Sequence, residues 1–123
     1  MNDVRQMNRI LQTVFGVPHT NIRLLCDQDA TRRRILTEFK SLIINPNIQR
    51  GDAMIIYFAG HGSQVRAPVG WDAEGGMVET ICPVDEELSE GGLEVHGIPD
   101  RTIAHLVHEL SQAKGPNIVS FEI

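Results

Sequence analysis

The sequence predicts one α/β domain built on a mainly parallel sheet, and three observations carry that reading. Apolar residues switch between helical and strand spacing several times along the chain. The run Ala53 to Ala59 is continuously apolar rather than alternating, the pattern of a strand covered by helices on both faces. No linker, repeat or charge block divides the 123 residues, a length that supports a single core.

Val4, Met7, Leu11 and Val14 recur at three- and four-residue spacing, with Asp3 placed to cap and Gly16 to stop, so a first helix is expected over Asp3 to Phe15. Ile22 to Cys26 is short, apolar and bounded by turn formers, which reads as a strand. Thr31 is a good N-cap for a second helix with Ile35, Phe39, Leu42 and Ile43 on one stripe, ending near Ile44 before Asn45-Pro46. After the strand Ala53 to Ala59, the glycine-rich stretch Gly60 to Gly76 reads as a loop. Val78 to Val84 is extended, and Asp85 to Gly92 forms an acidic loop. Ile103, Leu106, Val107 and Leu110 stripe a third helix from Pro99, in the favoured first helical position, to Ala113. Gly115-Pro116 ends it, and Asn117 to Ile123 is a final strand. With two or three strands in view and no helix after the last, the sheet is expected to be incomplete.

Composition narrows the function. A net charge of −5 argues against a general nucleic-acid or anionic-membrane binder. The longest apolar stretch, Ala53 to Ala59, is far short of the ~20 residues that span a bilayer. Met1 to Arg5 lacks the apolar core of a signal peptide, so a cytoplasmic setting is expected. Two cysteines, Cys26 and Cys82, are too few for a disulfide scaffold or a four-thiolate zinc site, and each reads as a small core hydrophobe.

The chemistry concentrates after the central apolar strand. Ligands of open α/β sheets sit beyond the carboxyl ends of strands, where Ala53 to Ala59 releases Gly60-His61-Gly62. An imidazole between two glycines has backbone freedom and little steric cover, and it titrates near neutral pH. A tight-turn histidine bonded to the next loop is the plainer alternative. His96, His105 and His108 match no zincin spacing, and His105 and His108 fall opposite the third helix's stripe, on its solvent side.

Three strings then stand in order: Tyr57-Phe58-Ala59-Gly60-His61-Gly62-Ser63-Gln64, Glu79-Thr80-Ile81-Cys82-Pro83-Val84-Asp85 and Gly97-Ile98-Pro99-Asp100. With Asn2-Asp3 and Ala30-Thr31-Arg32 at the heads of two helices, the chain resembles the caspase-like cysteine peptidases, and most closely the metacaspase type (peptidase C14). The resemblance covers nearly the whole chain, read as a partial peptidase domain, its histidine half. It implies a caspase-like three-layer sandwich, incomplete here, and peptide-bond hydrolysis by a cysteine and histidine pair, with His61 the catalytic histidine and a protein or peptide as substrate.

That family carries its cysteine at the end of the next core strand, and Asn117 to Ile123 contains none. The expected nucleophile position falls at or just past the final residue. Asp3, besides capping a helix, would by the same resemblance line a substrate-binding pocket for a lysine or arginine side chain. Calcium is a further implication, with Asp72, Glu74 and Asp100 near the matching segments, but Arg101 and Val78 stand where more acidic relatives carry carboxylates. Three functional readings remain at this point: a cysteine endopeptidase domain lacking its nucleophile, a catalytically dead binding or regulatory module that pairs through open sheet edges, and a metal or small-molecule binder built on His61, Asp85 and the glycine loop.

Overall fold

The computed structural model describes residues 2–60, 62–72, 74–85, 89–90, 93–94 and 96–122, with the backbone alone at 2, 74, 89, 90, 93, 94, 121 and 122. Three helices form where apolar stripes and end signals coincide: α1 (Asn2–Thr13), α2 (Arg32–Ile44) and α3 (Asp100–Lys114). Thr31 caps α2 as expected, its hydroxyl accepting from the Arg34 amide at 3.2 Å. Asn2 is already helical, so Asp3 lies inside the first turn of α1 rather than at its N-cap. Its carboxylate still faces the positive end of the helix dipole. Pro99 is extended, with φ −61° and ψ 146°, and takes the N-cap position of α3. At the other end Gly115 adopts φ 95°, a conformation costly for any side chain, and donates to the Ser111 carbonyl at 2.8 Å.

Seven short strands follow in chain order: β1 (Met54–Phe58), β2 (Gly62–Arg66), β3 (Met77–Ile81), β4 (Ser89–Glu90), β5 (Leu93–Glu94), β6 (Ile98–Pro99) and β7 (Ile118–Glu122). β1 and β7 pair in parallel, with Met54 opposite Ile118 and Phe58 opposite Glu122. β2, β3 and β6 form an antiparallel sheet, and β4 with β5 a small hairpin. The α/β class and the parallel strand pair are therefore as expected. The antiparallel sheet is an addition: β2 lies within the stretch read as a loop. Its sequence Gly-Ser-Gln-Val-Arg gives no apolar face, and all five residues are exposed, so only pairing with β3 makes it a strand.

Two expectations are corrected. Ile22 to Cys26 is not a strand; its end residues are extended, at φ −114° and −119°, but no ladder partner is found among the described residues. Apolar, extended backbone is thus insufficient without a neighbouring edge. β1 is not covered on both faces either. Ile56 and Phe58 pack against the helices, whereas Ile55 is 50% exposed and its register partner Val119 47%. No second helical layer covers that face among the described residues.

The core lies beneath α2 and α3, which pack on one another. Phe39 from α2 and Ile103 and Leu106 from α3 meet Ile81 of β3 and Ile98 of β6, with Ile56 and Phe58 of β1 at the margin. One pair of helices therefore roofs both sheets and holds them together. Among the described side chains, α1 contributes no buried residue. Its contact with the rest of the chain includes an exposed ion pair between Arg5 and Asp27 at 3.3 Å, a kind of interaction that adds little.

Candidate functional site

His61 lies outside the described residues; the glycines on either side of it are described. Gly60 follows β1 and Gly62 opens β2. Neither glycine has a left-handed backbone; each has little room for a side chain instead. A Cβ on Gly60 would meet the Phe58 ring at 3.1 Å, and one on Gly62 the Thr80 carbonyl oxygen at 3.3 Å. The expected backbone freedom is thus a close approach: β2 can lie tightly on β3 because Gly62 has no side chain.

The antiparallel sheet brings together the three sequence strings. Gly62 pairs with Ile81 and Ser63 with Thr80, while Thr80 and Ile81 pair on their other edge with Pro99 and Ile98. Thr80, buried, donates its hydroxyl to the Ser63 carbonyl at 3.3 Å. Gly62, Ser63, Gln64, Glu79, Thr80 and Asp100 line an open groove. Residues far apart in the sequence thus share one surface, whose Glu79 and Asp100 carboxylates favour a cationic group. Asp3, exposed on α1, lines neither this groove nor the adjoining one.

Asp85, a candidate ligand in the third reading, has a structural task. Its Oδ1 accepts from the Arg32 amide at 2.9 Å, and the neighbouring Val84 amide donates to the Ala30 carbonyl at 2.9 Å. The segment after β3 is thereby tied to the N-terminus of α2, where an anion is favoured. Sequence reading missed this because it links residues 53 apart. Asp85→Ala is expected to cost about 1–2 kcal/mol, the worth of a charged N-terminal partner. Asp85→Asn, which keeps an acceptor, should lose less than half as much in urea melts of the two variants. Equal losses would mean that the carboxylate's charge, not the acceptor that asparagine retains, supplies the stabilisation.

Cys26 and Cys82 are both half-buried rather than fully within the core. His96, His105 and His108 are exposed, as their positions predict, and His105 Nε2 lies 3.0 Å from Glu109 Oε1 one turn on.

The mixed α/β fold, the parallel pair of β1 and β7 and the three joined strings define a caspase-type peptidase architecture. The family model for the "Metacaspase, peptidase C14 domain" matches residues 1–117, and the chain belongs to that family. Metacaspase-4 of Arabidopsis thaliana is 31% identical over 93 residues, covering 72% of this chain and 22% of that protein. Metacaspase-7 of the same plant is 27% identical over 124 residues, covering 98% of this chain and 28% of that protein. Metacaspase-1 of Debaryomyces hansenii is 32% identical over 95 residues, covering 72% and 21%. The chain spans about a quarter of the length of these curated relatives.

Proposed function

We propose that this chain supplies the histidine half of a cysteine endopeptidase whose nucleophile lies outside these 123 residues. The observation that supports it most is the parallel register of β1 and β7. Phe58 stands opposite Glu122, so the carboxyl ends of the two strands are neighbours, and the segments that follow β1 and β7 leave the sheet from the same end. That is where a thiol must be for an imidazole to reach it. In the reaction His61 takes the thiol proton as the sulfur attacks the scissile carbonyl carbon. It then returns that proton to the leaving amine, and water hydrolyses the thioester. Asp3 is assigned to a pocket for a basic side chain on the family match alone. No helix among the described residues is long and apolar enough to cross a membrane; a cytoplasmic site of action is part of the proposal.

A second reading, a catalytically dead module pairing through sheet edges, draws on the two-stranded β1–β7 sheet, whose outer edges have no strand partner among the described residues. Sequencing the transcript past Ile123 separates the two. An Asp-Cys or Asp-Ser-Cys leading into a helix supports the peptidase, and a stop codon supports the module. The 123-residue chain by itself is expected to give no turnover of lysine- or arginine-terminated fluorogenic peptides, with or without calcium. Turnover abolished by both thiol alkylation and Cys82→Ala would overturn this and make Cys82 the nucleophile.

A further inference from the structure

Calcium, which the family resemblance implies, does not fit the described residues; the Glu74 side chain lies outside them. The ion requires six to eight oxygen ligands. Among the described residues, no three His, Cys, Asp or Glu side chains converge where an ion could be held. Asp72 and Asp100 do line one groove, together with Gln64, Glu79 and Arg101. Arg101, however, already places a positive charge there. Its guanidinium carbon lies 4.7 Å from the centroid of the Trp71 ring, and its Nη2 donates to the backbone carbonyl of Asp72.

These two contacts grip consecutive residues of the segment before β3 from a single side chain in the first turn of α3. The Asp72 carbonyl, an oxygen of the kind calcium uses, is engaged by a guanidinium N–H. A permanently charged group also repels any second cation at close range. We infer that Arg101 takes the place of the metal: its guanidinium holds the Trp71–Asp72 segment to the start of α3, so this chain orders that segment without calcium. The inference concerns local order and is independent of the position of the nucleophile.

Trp71 is the sole tryptophan, so its fluorescence reads the contact directly. In the wild-type chain, emission and acrylamide quenching should not change as calcium is raised to about 5 mM, above the weakest usual range of protein calcium sites, with magnesium as control. Arg101→Gln should raise the quenching constant about twofold as the ring loses its cation, while far-UV circular dichroism stays unchanged because Arg101 is an exposed residue. Arg101→Lys, which keeps the charge but not the planar fork, should fall between. A saturable response of wild-type Trp71 to calcium would overturn the inference, and so would Arg101→Gln quenching equal to wild type. Should Arg101→Gln fail to fold, the wild-type titration decides alone.

Discussion

Leu110→Ala is expected to lower unfolding stability by about 3–5 kcal/mol, the upper part of the range for a buried leucine truncation. The residue is 0% exposed, in the stripe that α3 turns inward with Ile103 and Leu106. Its truncation removes apolar contact and leaves a void under a roof shared by two sheets. Since whole domains are stable by only about 5–15 kcal/mol, this loss removes a large share of the folding margin. Urea titration followed by far-UV circular dichroism measures it, with Val14→Ala as comparison. Val14 is 70% exposed, so its truncation should stay within about 0.5 kcal/mol. A Leu110→Ala loss below about 1 kcal/mol would mean that α3 is not the covering element described above.

Lys114→Met should rank second, at about 2–3 kcal/mol, for two lost charge-assisted hydrogen bonds and the carbonyls they leave bare. The half-buried ammonium donates to the Asn45 carbonyl at 2.7 Å and to the Ile48 carbonyl at 2.8 Å. Asn45 closes α2, so a residue from the last turn of α3 satisfies an acceptor that the ending helix leaves open. Arginine should not substitute, because its planar fork cannot direct its donors to these two oxygens as the compact ammonium does. Thermal melts of Lys114→Met and Lys114→Arg test both statements. Recovery of full stability in Lys114→Arg would show that charge alone suffices.

The helices were the most legible part of the sequence because their signals are local. Thr31 before α2, Asn45-Pro46 after it and the Ile103–Leu110 stripe of α3 each act within a few residues, and each appears in the structure. β1 and β7 were legible as apolar runs. What stayed hidden was decided by partners distant in the chain. β2 carries no apolar face and exists through its pairing with β3, while Ile22 to Cys26 has the composition of a strand but no edge to join. At the candidate site, the strings around His61, Thr80 and Pro99 were individually visible. Their convergence on one sheet depends on register, which composition does not encode. The contact of Arg101 with Trp71 likewise joins a helix start to a loop with no shared periodicity.

The pairing of β1 with β7 also sets an order of assembly. Asn117 reaches back to the Gly51 carbonyl across 66 residues just where these strands begin, so closing this pair incurs the full entropy of a long loop. The β2–β3 ladder joins segments much nearer in sequence and forms at far smaller entropic cost. On sequence separation alone, the β2–β3 ladder is expected to form before the β1–β7 pair. In local opening, the amides of β7 are expected to exchange with solvent before those of β3, which is paired on both edges. Each opening bares Met54 and Ile56 on an unpaired edge, so the surface that completes the site is also the one through which the chain would first self-associate.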